Sequence, residues 1–341
     1  MNLHKYPKRG YVSSPTPIEK LSRLTKALED NIEIYVKRDD LLPGTLGGNK
    51  TRKLDYSLAK ALSQGADAVV TSGAVQSNHC RLTLAWAIRE GLECHLVLEE
   101  RVPDSYLPHG SGNNFIFNLL GAHGLKVIAG TSNVEAEIEK TAEGLRLKGR
   151  KPFIIPGGAA DPIGALGYVS CAQEIASQMT STGLDFDYVV CASGSGGTQS
   201  GLLAGFKATN TPLQVVGINV RRAKKEDQEN IIHSLTDRTL ELLGINSGIE
   251  EDKVICFENF LGPGYSIPDQ GTLEAIRLLA KNEAILVDPV YTGKALAGLV
   301  GLARSGYFSK GSKVLFLHTG GFPALFSYLS YFPEVAGSEG A

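Results

Sequence analysis

The segment Val189-Val-Cys-Ala-Ser-Gly-Ser-Gly-Gly-Thr198 places a short apolar run directly before a turn of small, glycine-rich residues. An apolar run bounded by glycine is typical of a strand buried on both faces. Glycine lets the backbone approach a ligand closely, and the free N–H groups at the start of a helix favour an anion. The segment therefore indicates a strand, a turn suited to one phosphate and a helix, although glycine content alone fits a plain turn equally well.

Similar apolar runs alternate with stretches of helical periodicity along the whole chain. This alternation predicts an α/β fold with doubly wound, mostly parallel sheets. The predicted strands are 32–36, 68–71, 94–98, 126–128, 153–155, 188–192, 214–220, 254–257, 285–288 and 314–318. The predicted helices are 54–63, 82–90, 134–148, 165–179, 202–208, 229–243, 273–282 and 295–304. The small residues 337–341 are expected to fray.

Composition excludes several classes of protein. The 341 residues include 34 Lys plus Arg and 36 Asp plus Glu, so a net charge of −2 leaves no basic surface for nucleic acid or an anionic membrane. With 43% hydrophobic and 21% charged residues, the chain is not disordered as a whole. No apolar run approaches the roughly 18 residues that a membrane span needs. We therefore expect a globular chain of about two domains, with no membrane or nucleic-acid partner.

The cysteines and the N-terminus bear on the cellular compartment. The chain has five cysteines, an odd number without CxxC spacing, so neither a zinc site nor a disulfide framework is indicated. The first ten residues are basic but are not followed by the apolar stretch of a secretory signal. Buried thiols in a reducing cytoplasm fit both observations.

Four predicted strands end in small polar residues that include glycine. The turns are 72–79, 193–198, 289–294 and 318–323. Because ligands of open α/β sheets bind beyond the carboxyl ends of the strands, we expect these turns to form one crevice for a small polar ligand.

The glycine turn matches neither of two common nucleotide-binding motifs. The chain has no Gly-Lys-Ser or Gly-Lys-Thr of a phosphate-binding loop, and Gln199 stands where a dinucleotide fingerprint needs its third glycine. Strand 214–220 is followed by Arg221 and Arg222 and lacks the acid that would hold a ribose. Two arginines could accept a ribose phosphate, so an NADP-dependent oxidoreductase stays open as an alternative.

The segment Gly47-Gly-Asn-Lys-Thr-Arg-Lys53 puts Lys50 at the start of a predicted helix, where the field of the helix opposes a cation. A lysine there suits work that removes its charge, such as a Schiff base, although composition alone favours an exposed, solvated lysine. Tyr265 and Tyr291 lie in loops where a phenol could act as acid or base, although packing is the usual fate of tyrosine.

A hydrolase and a metal site are both disfavoured. Ser77 and His79 stand two residues apart without the Gly-x-Ser-x-Gly elbow of a serine hydrolase. His318 has no partner at ligand spacing, so a buried, hydrogen-bonded imidazole is expected there rather than a metal ligand.

Five motifs in order resemble the D-cysteine desulfhydrase and 1-aminocyclopropane-1-carboxylate deaminase family. They are Gly47-Gly-Asn-Lys-x-Arg-Lys53, Gln76-Ser-Asn78, Ser195-Gly-Gly-Thr198, Asp288-Pro-Val-Tyr-Thr-Gly-Lys294 and His318-Thr-Gly-Gly321. The resemblance runs from near Tyr6 to about Phe332. It implies a pyridoxal 5'-phosphate enzyme of the tryptophan-synthase-β-like fold, fold type II. It also implies a homodimer in which a smaller domain, 53–163, is inserted into a larger one, 1–52 and 164–341.

The resemblance implies a role for each matched position. Lys50 would carry the cofactor as a Schiff base and later take the α-proton, and Asn78 would bind the cofactor's phenolic oxygen. The implied cofactor-binding residues are Lys50, Lys53, Asn78, Ser195, Gly196, Gly197, Thr198, Thr292 and Thr319. The implied substrate-binding residues are Gln76, Ser77, Asn78, His79, Tyr265 and Tyr291. Of these, Lys50, Ser77, Tyr265 and Tyr291 would be catalytic.

Two positions separate the branches of the family. The deaminase pattern has Glu after the tyrosine of its Tyr-x-Gly-Lys motif and Leu before the final glycine pair, whereas this chain has Thr292 and Thr319. A carboxylate beside the pyridine nitrogen strengthens the electron sink that ring opening needs, and a threonine hydroxyl gives a weaker one. The expectation is therefore α,β-elimination of D-cysteine to pyruvate, hydrogen sulfide and ammonia. The deaminase and an L-cysteate sulfo-lyase, for which Arg81 could favour a sulfonate, are the alternatives.

Overall fold

The computed structural model describes residues 2–29 and 31–333, so the expected fraying of 337–341 lies outside the described residues. The strands are β1 Ile18–Lys20, β2 Glu33–Lys37, β3 Ala68–Ala74, β4 Glu93–Glu100, β5 Gly124–Ala129, β6 Pro152–Ile155, β7 Tyr188–Ser193, β8 Gln214–Asn219, β9 Ile255–Phe257 and β10 Lys313–Leu317. The helices are α1 Ser22–Ala27, α2 Lys50–Ser63, α3 Asn78–Arg89, α4 Asn113–Leu120, α5 Val134–Arg146, α6 Pro162–Thr182, α7 Gly197–Thr209, α8 Lys225–Leu242, α9 Gln270–Glu283, α10 Thr292–Arg304 and α11 Phe322–Leu325.

The larger sheet has six strands in the order β1-β2-β10-β7-β8-β9. Only β1 runs antiparallel to its neighbour, and the remaining pairs are parallel. Alternate residues of β10 enter different apolar clusters, with Leu315 and Leu317 on one face and Val314 and Phe316 on the other. All four are fully buried, so helices cover both faces of this sheet, as the continuous apolar runs predict.

The smaller sheet has four parallel strands in the order β5-β4-β3-β6. These strands lie between Ala68 and Ile155, inside the segment expected to form the inserted domain. The expected boundaries of that domain fall within α2 and α6 rather than in loops. The two mostly parallel sheets confirm the predicted fold class.

Helices α6 and α7 pack closely because glycines stand at their contact. A Cβ on Gly201 would lie 2.5 Å from the Ala165 oxygen and from the Tyr168 Cβ. A Cβ on Gly205 would lie 2.5 Å from the Ala172 Cβ. This contact fixes the direction of α7 and therefore the position of its first turn beside β7.

One predicted strand is wrong. Residues 285–288 form no strand, although Val287 is fully buried. The neighbours of β10 in the sheet are β2 and β7, so the segment has no sheet edge to join there. Its Leu286 oxygen instead contacts the ring of His318 at 3.0 Å. An apolar extended segment can be buried without pairing, and the sequence pattern does not separate the two cases.

Four short elements were not predicted from the sequence, namely β1, α1, α4 and α11. The five cysteines are buried and unbridged, and burial raises the pKa of the Cys80 thiol to about 12. Within residues 2–29 and 31–333, no helix combines the length and apolarity that crossing a bilayer requires.

Candidate functional site

The turns after β3, β6, β7 and β10 line one cavity of about 690 Å³, so strand ends of both sheets meet there. The predicted site residues that line the cavity are Lys50, Ser77, Asn78, His79, Ser195, Gly196, Thr198, Tyr265, Tyr291 and Thr319. Those outside its lining are Lys53, Gln76, Gly197 and Thr292. Asn49, Arg101, Asp288 and Gly320 also line the cavity, and no role was predicted for them.

Lys50 is the first residue of α2, and its amine donates a hydrogen bond to the Gly158 oxygen at 3.2 Å. Burial lowers the pKa of this amine to about 8, so a substantial fraction is neutral near physiological pH. The two glycines before it are structural requirements. Gly47 has φ 62°, and a Cβ there would lie 2.0 Å from the Asp40 oxygen. The local fold therefore presents a readily deprotonated amine to the cavity.

Lys53 lies nearly one turn further along α2 and is fully buried. Its Nζ donates to the same Gly158 oxygen at 3.4 Å and lies 5.8 Å from the centre of the Tyr168 ring. Burial, followed by repulsion from Lys50, holds the pKa of Lys53 well below its usual value. The two amines therefore meet at one carbonyl oxygen, and an anion nearby would restore the charge of Lys53.

The glycine turn after β7 forms a cup. Gly196 caps α7 with φ 99°, and Gly197 begins the helix. A Cβ on Gly197 would lie 3.0 Å from the Lys53 Nζ, which places that amine against the cup. Asn49 Nδ2 donates to the Thr198 Oγ1 at 3.1 Å and ties the cup to the start of α2. A helix N-terminus, a glycine backbone and an amine together suit a phosphate.

A further turn was missed in the sequence. Residues Gly157–Ala159 follow β6, and Gly158 has φ 75°. A Cβ on Gly158 would lie 2.4 Å from the Ser195 Oγ and 3.4 Å from the Lys50 Nζ. The turn therefore joins the cup to the lysine. Its signal was present, because two glycines follow predicted strand 153–155 as glycine follows the other site strands.

The start of α3 offers donors to the cavity. Ser77 caps the helix by accepting the Cys80 N–H at 3.1 Å, which leaves its hydroxyl proton free. The first N–H groups of a helix have no acceptor within the helix and attract an anion. A carboxylate of a small substrate fits this corner.

His79 is neutral and its tautomer follows from its neighbour. The Thr71 hydroxyl donates to the Ile155 oxygen at 2.7 Å, so at its 2.8 Å contact with His79 the Nε2 must be the donor. The Nδ1 of His79 then carries a lone pair, and it has no partner among the described residues. Burial, with the nearby charges of Lys50 and Lys53, holds the pKa of His79 well below its usual value.

Gln76 lies at the same turn, but its side chain faces another loop. Its Oε1 accepts the Asn113 N–H at 2.8 Å, and its Nε2 donates to the Ser111 oxygen at 3.1 Å. Sequence order located the residue and could not give the direction of its amide. The substrate contact predicted for Gln76 thus finds no support in its hydrogen bonds.

Tyr265 and Tyr291 contact each other through their hydroxyl groups. Burial, followed by the interaction with Tyr265, raises the pKa of Tyr291 well above its usual value. The Arg101 guanidinium lies 4.6 Å from the centre of the Tyr265 ring. Lys294 is fully buried, and its amine donates to the Leu261 and Gly264 oxygens at 2.6 Å each. The loop that carries Tyr265 is therefore tied to α10.

The two threonines that separate the branches differ in their surroundings. Thr292 is fully buried, and its hydroxyl donates to Asp288 Oδ2 at 2.7 Å. Asp288 also accepts the backbone N–H groups of Val290, Tyr291 and Thr292, so this carboxylate serves the start of α10. Thr319 lines the cavity, and its hydroxyl has no protein partner among the described residues.

His318 is buried, and its Nε2 donates to the Leu286 oxygen at 3.0 Å while Nδ1 accepts the Gly320 N–H at 3.3 Å. Both ring nitrogens are thus used within the protein, as expected from its sequence context. Across the described parts of the chain, no group of three or more His, Cys, Asp or Glu side chains is placed to hold a metal ion.

Comparison with known proteins agrees with this geometry. Residues 11–320 match the sequence pattern of the family described as pyridoxal-phosphate dependent enzyme. The chain belongs to this family. Its cofactor is pyridoxal phosphate, which favours the Schiff-base interpretation of Lys50 over the NADP alternative.

Relatives in this pyridoxal-phosphate-dependent family carry two different names. A D-cysteine desulfhydrase of Yersinia enterocolitica is 40% identical over 329 residues, covering 96% of this chain and 97% of the relative. A 1-aminocyclopropane-1-carboxylate deaminase of Burkholderia cenocepacia is 41% identical over 336 residues, covering 97% and 99%. A crystal structure of an ACC deaminase homologue superposes with a TM-score of 0.87 at 36% identity, covering 97% of both chains. The resemblance seen in the motifs is thus confirmed.

Proposed function

We propose that this enzyme is a lyase that removes a β-substituent from a small amino acid, with D-cysteine as its preferred substrate. The observation that carries the choice is Thr319, whose neutral hydroxyl is free and lines the cavity. The overall reaction consumes one water and yields pyruvate, ammonia and hydrogen sulfide.

The residues of the cavity fit the cofactor. Lys50 would bind its aldehyde carbon, and the cup at Gly196 and Gly197, backed by Lys53, would take its phosphate. Asn78 would donate to its phenolic oxygen, and Thr319 would contact the ring nitrogen. When bound, the cofactor withdraws electrons from the α-carbon of the amino acid.

Protein groups would bind and orient the amino acid. The first N–H groups of α3 and the Ser77 hydroxyl would hold its carboxylate, because these groups are donors. The His79 Nδ1 is a buried acceptor, so it cannot donate to a substrate carboxylate and leaves that group to the donors of α3.

Two sites would handle protons. The Lys50 Nζ, with its pKa lowered to about 8, would take the α-proton. The hydroxyl pair of Tyr265 and Tyr291 would hold a proton for the departing group, because the raised pKa of Tyr291 keeps its phenol protonated. A thiolate leaves the β-carbon more readily than a carbon of the cyclopropane ring does. Elimination of the thiolate can therefore proceed with the weaker electron sink that a threonine hydroxyl gives, whereas ring opening needs a stronger one.

The surroundings of Asp288 support the choice of elimination over ring opening. This carboxylate lines the cavity, but both of its oxygens already accept hydrogen bonds from the start of α10. The deaminase pattern has a carboxylate at position 292. In this chain the position holds Thr292, whose hydroxyl already donates its hydrogen bond to Asp288. We infer that no strong acid partner meets the ring nitrogen.

Sulfite elimination from L-cysteate is the second candidate, and an arginine of the cavity favours it. Arg81, the residue that could favour a sulfonate on sequence grounds, is fully buried and lies outside the cavity lining. Arg101, Arg221 and Arg222 line the cavity instead. The Arg101 guanidinium already pairs with Glu99 at 2.5 Å and Arg222 donates to the Gly194 oxygen, which lowers the value of both for a second anion. Arg221 is therefore the arginine that favours the sulfo-lyase, which we keep as the second candidate.

The test is a substrate panel on the purified enzyme. D-cysteine, L-cysteine, L-cysteate and 1-aminocyclopropane-1-carboxylate are each supplied, and pyruvate or 2-oxobutyrate is measured. We expect the highest kcat/KM with D-cysteine. Turnover of the cyclopropane substrate alone would overturn the threonine argument, and release of sulfite from L-cysteate as the fastest reaction would establish the second candidate.

We also propose a homodimer, a cytoplasmic location and an inserted domain near 53–163 within 1–52 and 164–341, as the family resemblance implies. Exposed apolar side chains such as Phe115, Leu119 and Leu329 support an interface, with exposures of 57%, 70% and 66%. Light scattering after size-exclusion chromatography measures the mass, and a monomer across the micromolar range would refute the dimer.

A further inference from the structure

Arg81 is a buried cation for which the described residues provide no acidic partner. It lies on α3, three residues after Asn78, and is fully buried. Its Nε donates to Asn113 Oδ1 at 2.8 Å and its Nη2 to the Gly47 oxygen at 3.1 Å, while Nη1 has no partner. Burial lowers the pKa of Arg81 to about 9, which still leaves it charged at neutral pH. Burying a charge without an acidic partner costs free energy, so packing alone does not explain why an arginine stands at this position.

Asn113 receives the hydrogen bond from Arg81 and is itself fully buried at the start of α4. Its Nδ2 donates to the Gln76 oxygen and to Asn78 Oδ1, each at 2.9 Å. Its backbone N–H donates to the Gln76 side chain. Every polar atom of the Asn113 side chain therefore has a fixed partner.

These contacts fix the orientation of the Asn113 side-chain amide and, through it, the orientation of the Asn78 side-chain amide. Arginine can only donate, so the oxygen of the Asn113 side chain must face Arg81. The Asn113 NH2 group must then face Asn78, and Asn78 must accept this hydrogen bond with its side-chain oxygen. The NH2 group of Asn78, which lines the cavity and has no protein partner among the described residues, is left as the donor toward the cofactor. A flipped Asn78 would present an oxygen to an anionic phenolic oxygen and repel it.

We propose that Arg81 and Asn113 are positioning residues that fix the side-chain amide of Asn78 with its NH2 group toward the cofactor. This inference rests on the proposed cofactor role of Asn78. Neither residue lines the cavity, and their effect on the orientation of the cofactor passes through the Asn78 amide, while a separate hydrogen bond joins Arg81 to the Gly47 oxygen. No local pattern in the sequence indicates this role, because it depends on contacts of Arg81 with Asn113 and Gly47, which lie far away in the chain.

The decisive variant is Asn113→Asp, which keeps the shape of the side chain and replaces its NH2 donor with a second acceptor oxygen. A carboxylate accepts from both sides, so it pairs with Arg81 and makes Asn78 donate to it, which turns the Asn78 oxygen toward the cavity. The ion pair with Arg81 offsets the hydrogen bond to the Gln76 oxygen that the variant loses. Apo-protein is titrated with pyridoxal phosphate, and the dissociation constant is read from absorbance. We expect at least tenfold weaker binding without a matching fall in the apo-protein Tm. Asn114→Asp, the same change one residue later at a site that is also buried, is the control and should change affinity less than twofold.

A double-mutant cycle separates positioning from general structure. In an Asn78→Ala background, Asn113→Asp should have no further effect on the dissociation constant, because the amide it acts on is gone. An equal loss in both backgrounds, or a change below twofold in the wild-type background, overturns the proposal. If Asn113→Asp does not fold, Arg81→Met decides in the same cycle, since it removes a buried charge and should fold. It should bind the cofactor at least tenfold more weakly in the wild-type background and lose less in the Asn78→Ala background, which separates the Asn78 route from the contact with Gly47. Cofactor that binds wild type without attachment to Lys50 would refute the proposed function instead.

Discussion

Replacing Lys294 with methionine separates the anchoring of the Tyr265 loop from the stability of the whole protein. The Lys294 amine is fully buried and donates to the Leu261 and Gly264 oxygens at 2.6 Å each, just before Tyr265 in the chain. Methionine fills much of the same volume and donates to neither oxygen. The loop then keeps its backbone but loses both ties to α10.

The size of the effect follows from the pKa of the amine. The fold lowers the pKa of Lys294 from 10.5 to about 8, so holding its charge at neutral pH costs about 3 kcal/mol relative to the unfolded chain. Two hydrogen bonds from a charged donor return roughly 1.5–3 kcal/mol each. The two contributions oppose each other, and at pH 7 the free energy of unfolding of Lys294→Met should lie within about 3 kcal/mol of that of wild type.

The sign of the pH dependence is set by which state holds the proton. Between pH 8 and pH 10.5 the unfolded chain keeps the Lys294 proton and the folded protein has released it. The free energy of unfolding of wild type, relative to that of Lys294→Met, therefore rises by about 3 kcal/mol from pH 8 to pH 10.5. This gain disappears again as the pH falls back to 8.

The assay is urea unfolding of both proteins at pH 8 and pH 10.5, with kcat measured at pH 8. We expect kcat to fall roughly 100-fold, because misplacing a proton-transfer group by about 1 Å has this effect. Lys281→Met, at an exposed position on α9, is the control and should change neither quantity. An unchanged kcat, or a stability difference that does not vary with pH, would refute the reasoning.

Three further predictions concern the cavity. Gly158→Ala should lower the free energy of unfolding by about 2–3 kcal/mol, because its Cβ would meet the Ser195 Oγ at 2.4 Å at φ 75°. Gly149→Ala, at φ 77° in open space, should lose only about 1 kcal/mol in the same urea titration. Tyr291→Phe should lower kcat by about 10²–10⁴-fold in a pyruvate assay while the cofactor dissociation constant stays within twofold, and loss of cofactor would contradict its proton-transfer role. Thr319→Val should weaken cofactor binding by about 1 kcal/mol in an absorbance titration, and unchanged binding would remove Thr319 from the site.

Much of the architecture follows from local pattern. The continuous apolar runs of β7 and β10 predict strands covered on both faces, because both faces of a parallel sheet need apolar side chains. The rule that ligands bind beyond strand ends brings the turns after β3, β7 and β10 to one cavity. Segment 285–288 shows where the pattern fails, because burial of an extended segment requires apolar residues whether or not it pairs.

The chemistry of individual side chains was less accessible from the sequence. The direction of the Gln76 amide, the tautomer of His79 and the burial of Arg81 depend on residues far away in the chain, such as Asn113 and Ile155. No local pattern encodes such contacts. Turn Gly157–Ala159 was predictable from the sequence, because it follows a predicted strand and ligands bind beyond the ends of such strands.

The central claim is that the Lys50 amine carries the cofactor. The enzyme is mixed with pyridoxal phosphate, reduced with borohydride, digested and analysed by mass spectrometry, with Lys50→Ala as the matched control. The account predicts one phosphopyridoxyl group on the peptide that contains Lys50, and none in the variant, which should retain its circular dichroism spectrum and lose all turnover. Attachment to Lys53, whose amine shares the Gly158 oxygen, or no attachment at all, would contradict it.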